Sequence, residues 1–150
     1  MMHLSPNFTL AEMTRSSTAS RRGIDNMPPP MIIERMQQLC EHVLEPVRSH
    51  YKRPVIVTSG YRSPALNSAI GGSGTSQHSQ GEAADFTVHG LSNIEVCRWM
   101  EKTLTYDQLI YEFGEDGWIH ASWSARRLRN EELTARRVGA RTVYLRGLLP

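Results

Sequence analysis

The sequence predicts an α+β domain in which helices flank a small, mainly antiparallel sheet. Two segments carry apolar residues at helical spacing, and several short runs are rich in β-branched and aromatic residues. The chain has 150 residues, of which 39% are hydrophobic and 21% charged, as is typical of a globular domain with a buried core. We therefore expect residues 1–150 to form a single domain.

Residues 1–26 are predicted to form an irregular N-terminal arm with one short helix. Thr9 and Glu12 have the spacing of a capping box, and Phe8 precedes them at the position where a hydrophobic staple begins. The following residues, 14–26, are rich in Ser, Thr and Arg and predict a loop.

No run of apolar residues approaches the roughly 20 residues that span a bilayer, and the N-terminal arm has no apolar signal-peptide core. We therefore expect no membrane insertion and no export signal. On this interpretation the protein is made in the cytoplasm, and a target outside the membrane would have to be reached with the help of another component.

Two helices are predicted to cover the sheet. The first, Ile32–Val47, follows three prolines and repeats apolar residues every three or four positions, and Pro46 is expected to kink or loosen its last turn. The second, Ile94–Leu104, is preceded by a capping box. Cys40 and Cys97 fall on the apolar faces of these helices, so we expect two buried, reduced thiols.

The strands are predicted from short β-branched and aromatic runs bounded by turn residues. A short helix, 65–70, is expected after the first of them. Two of the runs form a hairpin around the turn 114–117, and the last run is expected to be an edge strand. The predicted strands are 54–58, 85–88, 108–113, 118–122 and 143–145.

His78 and Asp85 lie seven positions apart, separated by Gly81 and two alanines. Imidazole and carboxylate are zinc ligands, the glycine permits a sharp backbone turn, and the alanines leave room beside an ion. His120, flanked by apolar residues in a predicted strand, is the natural third ligand. Two histidines and one carboxylate are a common catalytic-zinc set, which keeps a fourth position open. The sequence therefore predicts one zinc ion bound by these three residues.

These residues resemble those of the M15 zinc peptidases, which belong to the group of lysostaphin-like, D-Ala-D-Ala-cleaving and hedgehog-like metal folds. The family pattern of Ser-x-His, then Gly and Ala, then Asp is matched by Ser76, His78, Gly81, Ala83 and Asp85. Three other segments resemble the family's substrate-side segment, its third-ligand strand and the start of compact phage members: 59–64 with Asn67, 118–120, and 4–13. The resemblance covers most of the chain and thins after about Ser124.

The resemblance implies hydrolysis of peptide bonds in bacterial peptidoglycan. Some relatives are carboxypeptidases that trim terminal D-Ala, and others are endopeptidases that cut within the stem peptide or the cross-bridge. The implied fold is similar to that of hedgehog and D-Ala-D-Ala peptidases, with the zinc site on the sheet. Phage and prophage relatives serve as lysis enzymes (endolysins) or as virion parts, so a membrane pore or the particle would deliver the chain to the wall. The alternative is a module that keeps the metal without catalysis and binds the wall or builds the virion.

A zinc peptidase needs a carboxylate that takes a proton from the attacking water and passes it to the leaving amine. Many relatives place this base three residues before the last histidine, but here that position is Gly117. Hedgehog-like and compact phage-like relatives have a glutamate at the end of the preceding strand, where Glu112 lies. Strand alternation across the hairpin can put this carboxylate on the face of His120. We therefore favour Glu112 as the base, with two turn acids, Glu115 and Asp116, as alternatives.

Arg62 resembles the family arginine that contacts the substrate or the developing oxyanion, and a fixed guanidinium suits both tasks. Ser76 is predicted to hydrogen-bond near the metal or to the substrate backbone. The alternatives are a surface salt bridge for Arg62 and an ordinary loop position for Ser76. The sequence leaves open whether Tyr61 and Gln77 line the cleft, and His89 is expected to be exposed.

Residues 125–150 form a basic C-terminal segment with seven arginines and two glutamates, although the net charge of the whole chain is only +2. Such a segment could face an anionic polymer, such as nucleic acid or wall glycan, or it could be a solvated face with salt bridges. No aromatic residues interleave with the arginines, which argues against nucleic acid. We therefore expect no nucleic acid as a partner, while the family resemblance implies a peptidoglycan peptide; the oligomeric state is left open.

Overall fold

Eight strands and six α-helices are formed by residues 1–150, all of which the computed structural model describes. The strands are β1 (His3–Ser5), β2 (Phe8–Thr9), β3 (Val55–Ser59), β4 (Ala83–Val88), β5 (Gln108–Glu112), β6 (Trp118–Ser122), β7 (Glu131–Val138) and β8 (Arg141–Arg146). The helices are α1 (Leu10–Thr14), α2 (Ser17–Arg22), α3 (Pro30–Leu39), α4 (Glu45–Tyr51), α5 (Pro64–Ala69) and α6 (Asn93–Thr103). A π-helical turn, Cys40–Leu44, joins α3 to α4, and a 3-10 turn, Gly114–Asp116, lies between β5 and β6.

Six strands form one sheet in the order β3-β4-β6-β5-β7-β8. All neighbouring strands are antiparallel except β5 and β7, which are parallel. The predicted α+β fold with a mainly antiparallel sheet is therefore confirmed. The predicted hairpin is the β5–β6 pair.

The register of the central strands determines which side chains share a face. Asp85 on β4 pairs with His120 on β6, and His120 also pairs with Ile110 on β5. Glu112 pairs with Trp118 at the end of the same hairpin. Since residues two apart on a strand point to the same side, all five side chains lie on one face of the sheet.

One long helical segment packs against the sheet, in the region where the helix Ile32–Val47 was predicted. It runs over residues 30–51 and contains the π-helical turn Cys40–Leu44. The Glu45 N–H bonds the Cys40 carbonyl five residues earlier, and the next residue, Pro46, has no N–H to place in the helical ladder. The structure therefore shows the disturbance expected at Pro46 as a widened, π-helical turn just before the proline. None of the helices is both long and apolar enough to span a membrane.

The core lies between this helical segment, α6 and the sheet, and 23 buried residues form one apolar cluster in it. Both cysteines belong to the cluster and are free thiols, as predicted. The largest fully buried side chains include Phe8, Met13, Phe86 and Tyr106. Two of these four come from the first 26 residues, so the N-terminal segment is part of the core.

The N-terminal segment is more regular than the predicted arm with one helix. Strands β1 and β2 form a small antiparallel hairpin. The capping box of Thr9 and Glu12 opens α1, as predicted. The predicted loop 14–26 contains a second helix, α2, because the Ser16 side chain accepts a bond from the Ala19 N–H and Gly23 ends the helix in the left-handed conformation. The composition rich in Ser, Thr and Arg concealed these two local signals.

The basic C-terminal segment forms a hairpin of β7 and β8. The predicted edge strand 143–145 is the centre of β8, whereas β7 was not predicted at all. Five of the eight residues of β7 are Glu, Thr or Arg, a composition that does not stand out as a strand. Its partner β5 precedes it by more than twenty residues in the chain, so no local pattern indicates the pairing.

Candidate metal centre and cleft

His78 is delivered by the loop between α5 and β4. Gly81 has a φ of +73°, and a Cβ there would lie 2.7 Å from Ile32 Cγ2, so this position requires glycine on both counts. The His78 backbone carbonyl accepts the Arg62 N–H at 3.2 Å, and its ring Nδ1 lies 2.8 Å from the Gly60 carbonyl oxygen. Since a carbonyl only accepts, Nδ1 carries the hydrogen and Nε2 is free to bind a metal.

Asp85 and His120 come from neighbouring strands and meet His78 on the face of the sheet. Asp85 Oδ1 lies 3.0 Å from His120 Nδ1 and 3.4 Å from His78 Nε2. All three residues are buried. Burial alone would favour a neutral Asp85, but hydrogen bonds from His120 and His78, when the ring nitrogens that face Asp85 carry hydrogen, outweigh it and hold the pKa of Asp85 well below its usual range. The group therefore contains an anion flanked by two imidazoles.

The orientation of His120 is determined by its other nitrogen. His120 Nε2 lies 3.1 Å from Gln77 Oε1, and Gln77 Nε2 donates to Asp107 Oδ2 at 2.9 Å. Because the amide group of Gln77 uses its nitrogen on Asp107, its oxygen accepts the His120 Nε2–H. In the neutral ring, His120 Nδ1 then presents a lone pair to Asp85.

The donor set fits a metal ion. The ligand atoms of His78, Asp85 and His120 lie within 4.8 Å of one another. With those ring hydrogens on the far nitrogens, two imidazole lone pairs and a carboxylate converge on one point, and a cation between them would stabilise this arrangement. Two histidines and one carboxylate are the ligand types that zinc takes in open, catalytic sites. These three residues could hold a metal ion, as the sequence predicted.

Asp107 anchors this arrangement to the C-terminal segment. Its side chain is 1% exposed and receives two hydrogen bonds from the Arg129 guanidinium, at 2.7 Å and 3.0 Å, and one from the Arg129 backbone N–H, at 3.3 Å. Arg127 Nε lies 3.4 Å from the same carboxylate. Burial raises the pKa of Asp107, but the bonds from Arg129 outweigh it and the pKa is lowered. A continuous chain of contacts therefore links Arg129 through Asp107 and Gln77 to His120.

Glu112 lies in the cleft beside this group, with Oε1 3.8 Å from His120 Nδ1. Burial and the nearby Asp85 carboxylate raise the pKa of Glu112 to about 7. A carboxylate with such a pKa is well suited to exchange protons at neutral pH. The structure places Glu112 on the face of His120, as strand alternation indicated.

The two alternative acids lie elsewhere. Glu115 accepts the backbone N–H groups of Asn93 and Ile94, at 2.7 Å and 3.0 Å, and the Tyr111 hydroxyl at 2.6 Å. It thus caps the N-terminus of α6. Asp116 is exposed in the 3-10 turn and does not line the cleft.

Arg62 and Ser76 both line the cleft, on the side of β3. One terminal nitrogen of Arg62 lies 3.8 Å from Asp85 Oδ2, and the Arg62 Nε donates to Ser59 Oγ at 3.3 Å. Ser76 Oγ accepts the His78 N–H at 3.3 Å and so tightens the loop that carries this ligand. Arg62 is therefore directed at the metal group.

The cleft has a volume of about 470 Å³ and includes residues that the sequence did not assign. Gln77, which the sequence left open, lines it, whereas Tyr61 is buried in the apolar core. His89 is exposed, as expected. Leu133 and Tyr144 come from the C-terminal hairpin and also line the cleft. Their position depends on the unpredicted pairing of β7 with β5, so no local sequence signal could have found them.

A buried group of metal-ligand type, with a carboxylate of raised pKa and an arginine beside it in an open cleft, defines a metal-dependent hydrolase site. Comparison with protein families gives the particular class. A family model described as Peptidase M15 matches residues 6–122. The chain belongs to the M15 peptidase family and is a hydrolytic enzyme, as the resemblance indicated.

M15 peptidases depend on zinc, and the match contains all three candidate ligands and Glu112. Comparison with curated proteins finds no match. The matched region ends at residue 122, the last residue of β6, so the C-terminal hairpin lies outside it.

Proposed function

We propose that the protein is a zinc-dependent peptidase that hydrolyses peptide bonds in bacterial peptidoglycan, acting as a carboxypeptidase or an endopeptidase. The observation that carries the proposal is the position of Glu112, 3.8 Å from a histidine of a buried His-Asp-His group in a chain of the M15 peptidase family. His78, Asp85 and His120 would hold the zinc ion. When bound, zinc supplies Lewis acidity and lowers the pKa of a water molecule to about 7.

Glu112 acts as the general base and then as the general acid. Its carboxylate takes the proton of the attacking water and later gives it to the nitrogen of the leaving amine. The pKa of about 7 serves both steps, because the group loses and gains a proton near neutral pH. Burial and the Asp85 carboxylate raise the pKa of Glu112, so the residues of the site itself adjust the acidity of the base.

Arg62 stabilises the charge that develops on the carbonyl oxygen. Its guanidinium is held by Ser59 and directed at the metal group, so it needs little reorganisation during the reaction. Ser76 positions the His78 loop and lines the cleft, where its hydroxyl can hydrogen-bond to the substrate backbone. The cleft lies open on the sheet face, which suits an extended peptide.

A peptidoglycan substrate lies outside the cell membrane, so we propose that the protein reaches it through a membrane pore or as part of a phage particle. Under the first route it is a lysis enzyme, and under the second a virion component. The bond that is cut distinguishes a trimmed wall from an opened one.

Mass spectrometry of muropeptides after incubation with the purified protein tests the proposal, with and without a chelator. We expect cleavage that the chelator abolishes, and a fall in kcat of about 10²–10⁴-fold in Glu112→Gln with zinc retained. Asp116→Asn, which alters an exposed acid four residues away, is the matched control and should cleave normally. Zinc-loaded protein that cleaves no type of wall would overturn the proposal and favour a metal-containing, non-catalytic wall-binding or virion module.

A further inference from the structure

The C-terminal hairpin forms one wall of the cleft, although it lies outside the part of the chain that matches the family. Strand β7 extends the sheet beyond β5, and β8 follows as the edge strand. Leu133 on β7 and Tyr144 on β8 line the same cleft as the metal group. Both side chains of this wall therefore come from residues outside the matched range 6–122.

The strand register directs both side chains at the reacting centre. Leu133 pairs with Ile110, which itself pairs with His120. Tyr144 pairs with Ala135, and Ala135 pairs with Glu112. Directly paired residues share a face of the sheet, so Leu133 lies on the face of His120, and Tyr144 lies on the face of Glu112.

The side chain of Tyr144 can extend over Ala135 towards Glu112. Two strand spacings separate the backbones of Tyr144 and Glu112 by about 10 Å, and only the small, fully buried Ala135 lies between them. Burial and the negative charges of the Glu112 and Asp85 carboxylates raise the pKa of Tyr144, so these carboxylates are close enough to act on the phenol. The phenol therefore keeps its hydrogen at neutral pH and is a donor, while the residue is 56% exposed and accessible to a substrate.

The wall lies opposite Arg62 across the metal group. Arg62 follows β3 at one edge of the sheet, and Tyr144 lies on β8 at the other edge. A peptide that crosses the strands would place its scissile bond over β4, β6 and β5, with one neighbouring residue over the hairpin. An extended peptide advances about 3.3–3.6 Å per residue, so the wall is reached within about three residues of the scissile bond.

We propose that Leu133 and Tyr144 form a substrate subsite for an aliphatic side chain within about three residues of the scissile bond, and that the Tyr144 hydroxyl donates a hydrogen bond to a backbone carbonyl of that part of the peptide. The apolar surface of Leu133 and Ile110 selects the side chain, and the hydroxyl fixes the peptide direction. The inference rests on the proposed peptidase function and adds the source of its substrate selectivity.

Steady-state kinetics on short peptide substrates test the subsite. The peptides contain the bond that the wild type cleaves, and carry alanine, valine or glycine at each of the three positions on either side of that bond in turn. In the full chain, Leu133→Ala should lower kcat/KM about 10-fold or more for alanine and valine peptides, mostly through KM, and much less for glycine peptides. Tyr144→Ala should cause the same loss for alanine and valine peptides, and for glycine peptides only the loss that removal of the hydroxyl causes. Tyr144→Phe should lower kcat/KM about 2–10-fold for all three peptides alike. Zinc content should stay at the wild-type level.

Val143→Ala is the matched control, because Val143 precedes Tyr144 on β8 and points to the opposite face. Wild-type kinetics in the Leu133 and Tyr144 variants would overturn the subsite and leave the peptidase function intact. An equal loss in Val143→Ala, or an equal loss of glycine and valine peptides in Leu133→Ala, would show a merely structural hairpin and overturn it too. A wild-type protein that cleaves neither peptides nor muropeptides would overturn both the subsite and the proposed function.

Discussion

His78 and His120 face the same carboxylate, but different parts of the molecule hold them. His78 donates to a backbone carbonyl, that of Gly60, at the end of β3. His120 is held through the side chains of Gln77 and Asp107, and Asp107 is held in turn by Arg129 of the C-terminal segment. One ligand thus depends on the backbone of the matched region, and the other on side chains that extend beyond it.

This difference shows which of the two ligands is more sensitive to single substitutions in its supporting residues. A backbone carbonyl stays in place under most substitutions, so the orientation of His78 can be lost only when the local fold is disturbed. Each member of the His120 chain can be removed by a single substitution. Partners of this kind, behind the ligands, commonly account for 10–100-fold in metal affinity.

The largest effect is expected when either imidazole is removed. His78→Ala and His120→Ala should each abolish stoichiometric zinc binding and activity, because each removes one of only three ligands. Zinc per chain, measured by mass spectrometry of the metal, provides the test. A His120→Ala protein that keeps one tightly bound zinc would show that the ligand set is wrong.

Gly60→Ala should disturb the orientation of His78 by displacing the backbone that carries the Gly60 carbonyl. A Cβ at this position would lie 2.3 Å from the Met13 backbone oxygen, so the backbone must move and stability should fall by about 1–3 kcal/mol. We expect the melting temperature and the zinc affinity to decrease together. Gly74→Ala is the control, since a Cβ there meets nothing within 4 Å.

Gln77→Ala should disturb the orientation of His120 while changing the fold little. The substitution removes the acceptor of the His120 Nε2–H, and we expect zinc affinity to fall by about 10–100-fold in chelator competition. The melting temperature of the metal-free protein should change little, because Gln77 is only half-buried. Gln80→Ala, on the exposed part of the same loop, should match the wild type. Unchanged zinc affinity in Gln77→Ala would remove the proposed difference between the two histidines.

Arg129→Gln should give a smaller effect in the same direction. Arg127 remains 3.4 Å from Asp107 and retains part of its ion pairing, so zinc affinity should fall by less than about 10-fold. The comparison with Gln77→Ala in the same chelator competition provides the measurement. A loss larger than that of Gln77→Ala would mean that Arg129 supports the site by a route other than Asp107 and Gln77.

The smallest effect is a change in acid stability. The pKa of Asp107 is lowered in the fold, so the stability that it contributes is present above its unfolded pKa of about 3.9 and is lost as the pH falls through the folded value. Denaturant unfolding of the metal-free protein between pH 5 and pH 2.5 should therefore show a shallower acid-dependent loss in Arg129→Gln than in the wild type. Parallel curves would contradict a role of Arg129 in lowering this pKa.

The sequence predicted those parts of the site whose geometry is local. His78 and Asp85 lie in one short motif, and alternation along a recognisable hairpin was enough to direct Glu112 at His120. The structure brings these residues together, while the bound zinc and the role of Glu112 as base stay predictions. The turn acid Glu115 could be assigned only once the start of α6 was seen beside it, because its role is to cap that helix.

The parts that could not be predicted depend on contacts between distant segments. Gln77 is oriented by Asp107, thirty residues later, and Asp107 by Arg129, another 22 residues on. Strand β7 has a composition that fits a solvated face, and only its parallel pairing with β5 turns it into a wall of the cleft. Polar residues follow no period, so the sequence could identify an arginine-rich segment without showing which arginines have buried partners.

The parallel pairing of β5 with β7 also has a consequence for the order of events during synthesis. Ribosomes release the chain from its N-terminus at about 5–20 residues per second, so the three histidine and aspartate ligands emerge before residues 129–146. Until the late hairpin docks, Asp107 lacks its arginine partners and β5 has a free edge. A nascent chain therefore holds its ligands before it can orient all of them, because the chain of contacts that orients His120 is complete only once Arg129 has been translated.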